Sequence, residues 1–144
     1  MDGEAWDLLA IGDFIYLLDC RNSSEATILQ RRFKKDRVAL EILYDLLERL
    51  DGLGFEGALS FGLQTKRLKP ISNNKHLQLI EIRVGKTLWR VITVVDRKHK
   101  ALVMIDAFQH HKKKTMNQMV NESESRIRAA LRLLEEADLD GNED

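Results

Sequence analysis

The run Gln109-His110-His111-Lys112-Lys113-Lys114-Thr115 sets two adjacent histidines beside three lysines. Imidazole exchanges protons near neutral pH, and neighbouring cations favour its neutral, basic form. The pair therefore has the chemistry of a general acid or base. Upstream, Arg83 and Arg90 carry planar guanidinium groups, which grip phosphate oxygens through paired hydrogen bonds. Charge gathers in the same stretch. From Gln64 to Met116 there are 13 Lys and Arg against 3 Asp and Glu, a local balance of +10, and all four histidines lie there. Met1–Gln30 and Asn117–Asp144 each carry −5, so the whole chain is neutral. A localised cationic field on a neutral protein points to a nucleic-acid backbone. The competing reading is that lysines solubilise a sheet edge.

A metal site is not expected. Two adjacent histidines rarely point at one ion, and no third ligand is evident. His76 and His99 sit near turns and read as exposed polar residues. The single Cys20 excludes an internal disulfide and a cysteine zinc site, and reads as a small buried apolar residue. No cofactor is expected.

These groups need a scaffold. At 144 residues, with 44% apolar and 32% charged residues, the chain reads as one domain with a charged surface. Its core is expected over about 25–136, with an acidic tail at 137–144. No apolar run approaches the roughly 20 residues that span a bilayer. The acidic start, Met1-Asp2-Gly3-Glu4, lacks a basic leader, so the expected location is cytoplasmic, away from membranes.

Met1 to about Asn22 reads as a strand and a short helix, and Ser23 or Ser24 as the cap of the next helical segment. From Glu25 to Leu50 the period is helical: Val38, Ile42, Leu46 and Leu50 recur every four residues, and Leu43 and Leu47 widen the stripe. Arg31, Arg32, Lys34, Lys35 and Arg37 cluster just before it, with a break near Phe33–Asp36. Gly52 and Gly54 end the helix. Phe55 to Asn74 reads as a connector. Leu77–Val84 and Thr87–Asp96 read as strands joined by a two-residue turn at Gly85-Lys86, and Ala101–Phe108 as a third strand of an antiparallel meander. A last helix is expected over about Met116 to Glu136, with Asn121 and Glu124 resembling a capping box.

A turn at Gly85-Lys86 sets Ile82 opposite Trp89 and Glu81 opposite Arg90. Strand alternation then puts Ile80, Ile82, Val84, Trp89, Val91 and Val95 on the core face. Glu81, Arg83 and Arg90 share the other face with Leu79, Leu88, Ile92 and Val94. One carboxylate cannot neutralise two arginines, which leaves a charge for a ligand.

The runs Leu79-Ile80-Glu81-Ile82-Arg83 and Leu88-Trp89-Arg90-Val91, the strand ending Ala107-Phe108, the basic loop and the final helix together resemble the RelE/HigB toxin superfamily, and in particular its phage-derived, HigB-like branch. The likeness covers about Val38 to Arg128. It departs where His110 and His111 replace the more usual lysines, Met116 a proline and Ser123 an alanine. The resemblance implies an α+β fold: N-terminal helices on a small antiparallel meander with a C-terminal helix, and a site on the open sheet face. It also implies a metal-independent endoribonuclease that cuts mRNA, often on the ribosome, and is neutralised by a helix-turn-helix antitoxin.

On that reading Arg90 and Arg83 hold the phosphate, and His110 or His111 moves protons. Lys112, Lys113 and Lys114, with Lys69 and Lys75, hold the flanking backbone. RNA supplies its own 2′-hydroxyl nucleophile, so the protein need only align it and stabilise the charged phosphorane. Two other readings remain: a non-catalytic, phage-derived module that binds nucleic acid, and a partner-interaction protein whose acidic ends cover its own basic sheet.

Overall fold

A computed structural model describes residues 6–20, 27–71, 74–110 and 116–141. The chain opens with a hairpin, β1 (Trp6–Ala10) and β2 (Ile15–Cys20). Three helices come next: α1 (Ile28–Arg32), α2 (Arg37–Gly52) and α3 (Gly54–Gln64). They lead into β3 (Leu68–Ile71), β4 (Asn74–Val84), β5 (Thr87–Asp96) and β6 (Ala101–Gln109), then α4 (Met116–Glu122) and α5 (Glu124–Gly141). The strands form one sheet in the order β1-β2-β6-β5-β4-β3. β2 and β6 pair in parallel through Ile15↔Leu102, Tyr16↔Val103 and Leu17↔Met104, and every other pairing is antiparallel.

This corrects the expected fold. The sheet is mixed and six-stranded, not a small antiparallel meander under N-terminal helices, and neither face is simply open. The reason lies in β6, buried at every residue from Ala101 to Ala107. A strand apolar on both sides needs cover on both sides. Phe33, at the C-terminal junction of α1, and Leu43, Leu47 and Leu50 of α2 pack on Ile80, Ile82, Trp89 and Val91. Ile127, Ala130 and Leu134 of α5 pack on Leu79, Ile92, Val94 and Val103. The predicted core face is thus one of two.

Local chemistry sets the helix starts. Thr27 and Gln30 form a capping box, each side chain accepting the other's backbone N–H, at 3.2 and 2.9 Å. Ser23 and Ser24 lie outside the described residues. Asp36 caps α2 by accepting the Ala39 N–H at 3.1 Å. The buried stripe of α2 runs through Ala39, Leu43, Leu46, Leu47 and Leu50, leaving Val38 56% exposed. The region read as a connector contains α3 and β3. Gly62 lets them pack: a Cβ there would overlap the Leu68 side chain. Pro70 occupies the edge strand β3, where a missing donor is tolerated.

Asp51, at the end of α2, ties down the first hairpin by accepting the Asp13 N–H at 2.8 Å. The expected final helix breaks at Ser123, whose N–H bonds the Met119 and Val120 carbonyls at 3.2 and 3.1 Å. Asn121 therefore lies inside α4 instead of capping α5. No helix among the described residues is long and apolar enough to cross a membrane.

Candidate nucleic-acid interface

The turn at Gly85, with φ +58°, sets the expected register: Glu81↔Arg90, Ile82↔Trp89 and Val84↔Thr87. Glu81 and Arg90 are thereby cross-strand neighbours. Arg90 Nε donates to Glu81 Oε2 at 3.0 Å, and Lys69 Nζ from β3 reaches Glu81 Oε1 at 2.7 Å. Burial pushes the Glu81 carboxyl up, but hydrogen bonds from Lys69 and Arg90 outweigh it and hold the group below its ordinary range.

His110 joins this array. Its backbone N–H bonds the Leu88 carbonyl at 2.8 Å, fixing the end of β6 against β5. Its Nδ1 lies 3.0 Å from Arg90 Nη1. Guanidinium only donates, so Nδ1 accepts, and the proton of a neutral ring in this arrangement lies on Nε2. Lys69, Glu81, Arg90 and His110 form one connected cluster with a single carboxylate against two fixed cations.

Other expected residues stand apart. Arg83 is exposed and pairs in register with Leu88, with no ion-pair partner among the described residues. It shares the strand face with Glu81 without joining its cluster. Lys75 belongs to β4 at the end away from Arg83, and its side chain lies outside the described residues. His111, Lys112, Lys113 and Lys114 also lie outside them. His76 is exposed, as expected. His99 is not: its side chain is only 7% exposed, with Nδ1 2.7 Å from Asp96 Oδ2 and Nε2 4.0 Å from Glu135 on α5.

Sequence reasoning missed a second cluster. Ile105 is an extra residue in β6, because Ile92 pairs with Asp106 and Thr93 with Met104. Such bulges re-aim neighbouring side chains. Asp106 is 6% exposed and takes two hydrogen bonds from Arg32 of α1: Nε to Oδ1 at 2.6 Å and Nη2 to Oδ2 at 3.1 Å. Arg126 Nη1 of α5 adds a third at 3.0 Å, while its guanidinium lies 5.8 Å over the Trp6 ring. A cleft of about 690 Å³ opens here, with Phe108, Gln109 and Ser123 in its walls. The available signal was a lone carboxylate in an apolar strand, which must find a cation.

Chemically, the first cluster can bind a phosphate and exchange a proton beside it. The second can present two guanidinium groups held on one carboxylate. The chain matches no known family, no curated protein and no solved structure.

Proposed function

We propose that this protein is a metal-independent endoribonuclease that cuts mRNA in the cytoplasm, the toxin half of a toxin–antitoxin pair held in check by a helix-turn-helix antitoxin, with the ribosome as its setting. The observation that carries the reading is the 3.0 Å contact between Arg90 Nη1 and His110 Nδ1. It puts a phosphate-binding group and a proton-transfer group in direct contact.

The contact also supplies a sequence of events. An incoming phosphate competes for the Arg90 guanidinium. As Arg90 turns to its oxygens, Nδ1 of His110 loses its donor and becomes free to take the 2′-hydroxyl proton. The 2′-oxygen attacks the phosphorus, the bond to the 5′-oxygen breaks, that oxygen takes a proton from water, and a 2′,3′-cyclic phosphate remains while His110 returns its proton to solvent. Arg90 stabilises the charge that builds on the phosphorane, with Arg83 on the same sheet face as a second cation.

The test is cleavage of a single-stranded RNA in EDTA by wild type and Arg90→Ala. Loss of more than about tenfold in a well-folded variant supports the reading, since a charged donor at the reacting phosphate contributes at least that much. Equal cleavage by both proteins removes Arg90 from the reaction. A non-catalytic binding module is favoured by one observation: Glu81 already engages both Arg90 and Lys69. Salt-sensitive RNA binding with no product from the wild type would select it.

A further inference from the structure

The basic cluster of the α1–α2 region has no role in the reaction above. β2 accompanies β6 only as far as Met104, and past that point α1 lies beside β6 in place of a strand. Two clefts open over this edge, of about 690 and 510 Å³, and share Arg32, Trp89 and Gln109. They make one groove. Arg31, Lys34 and Lys35 line one half, all exposed and without a carboxylate partner among the described residues. Arg126 lines the other.

Of the three carboxylates lining the groove, Asp36, Asp106 and the exposed Glu122 of α4, the first two are already committed. Asp36 accepts the Ala39 N–H and the Trp89 indole N–H. Asp106 holds Arg32 and Arg126, and one carboxylate cannot cancel two guanidinium groups. Arg126 keeps a buried Nε with no hydrogen-bond partner. Asp106 is thus a positioning residue that fixes two cations while leaving them donors to spare. The half-buried ring of Phe108 stands in the wall. A cationic groove with an aromatic side chain is the chemistry of single-stranded nucleic-acid binding. The groove also leads to the first cluster, since Phe108 in its wall is the cross-strand partner of Arg90.

We propose that this groove holds the single-stranded RNA that flanks the scissile phosphate, with its backbone on Arg31, Arg32, Lys34 and Lys35. The identity of the strand as RNA rests on the ribonuclease reading; the groove itself rests on its own geometry.

The probe is a fluorescent 2′-O-methyl oligouridylate of about 12 nucleotides, which cannot be cut because its 2′-oxygens are blocked. Binding is measured across a salt series for wild type, Lys34→Ala/Lys35→Ala, and a control of equal charge change at the β5–β6 turn, Arg97→Ala/Lys98→Ala. The groove variant is expected to bind at least about tenfold more weakly, with a salt slope shallower by about 1.4, or ~0.7 per lost phosphate contact. The control should bind as the wild type does. Equal losses in both variants, or none in either, would overturn the groove, as would a wild type that binds no oligonucleotide. A wild type that binds with this pattern yet cleaves no RNA upholds the groove and overturns the ribonuclease. One that cleaves RNA while the groove variant binds normally does the reverse.

Discussion

The indole N–H of Trp89 ends on Asp36 Oδ2 at 2.9 Å. The two residues lie 53 apart in sequence. Asp36 Oδ1 meanwhile caps α2, so one carboxylate couples the start of a helix to the second strand of the charged hairpin. Phe33, fully buried, lies on the same indole at 4.3 Å between ring centroids.

Trp89→Phe removes the indole donor together with part of the buried ring, at an expected cost of about 1–3 kcal/mol. Asp36→Ala removes the helix cap as well and should cost about 2–3 kcal/mol. Urea unfolding measures both. Additive losses in the double variant would show that the indole contact contributes nothing to the role of Asp36.

Asp106 joins Arg32 and Arg126 across three elements. Arg32 retains access to water, so its stranded charge is tolerated better than a fully buried one. Asp106→Ala is therefore expected to lose about 1–3 kcal/mol. A double-mutant cycle with Arg32→Ala should show coupling of about 1 kcal/mol or more. Additive effects would mean the pair is held by its surroundings alone.

Glu81 restrains Lys69 and Arg90, the two cations that the proposed reading sets against a phosphate. Glu81→Gln should leave the backbone pairing intact and raise affinity for the oligouridylate at low salt. The salt slope should steepen by about 0.7–1.4 as one or two cations are released to phosphates. Unchanged affinity would show that Arg90 and Lys69 do not contact the strand.

Acid should loosen the fold in a defined direction. Burial raises the Asp96 carboxyl, but hydrogen bonds from His99 prevail and hold it below its ordinary range; Glu81 is held low by Lys69 and Arg90. The unfolded chain therefore takes up these protons first. The stabilisation is complete above the unfolded value, about pH 4, and is lost as pH falls through the lower folded values. Thermal midpoints should drop as pH falls below about 4, and Asp96→Asn should flatten part of that slope. A variant as acid-sensitive as its parent would exclude Asp96 as a contributor.

The sequence made the β4–β5 hairpin legible because Gly85 and strict alternation both act locally. It made α2 legible through its leucines, although the true stripe is rotated away from Val38. It did not reveal α3, whose three glycines read as a connector. Gly62 is there because Leu68 fills the space a side chain would need. Nor did it reveal the parallel pairing or the Asp106 cluster. Arg32 lies 74 residues from Asp106 and Arg126 lies 20, and the bulge at Ile105 breaks the alternation that would place the carboxylate. Arg90 and Glu81 were found because they sit on one hairpin, while the groove needed tertiary contacts to exist at all.

The parallel seam between β2 and β6 has a consequence for biogenesis. The first hairpin leaves the ribosome long before its seam partner, and a lone two-stranded hairpin is marginal in water. At ~5–20 residues per second, β2 waits several seconds for Leu102–Met104 to be made. Meanwhile Ile15 and Leu17, which end up buried, must be shielded by α2 or by a chaperone. The seam is a long-range contact of the kind that forms late, so the finished sheet closes only once nearly the whole chain has been synthesised.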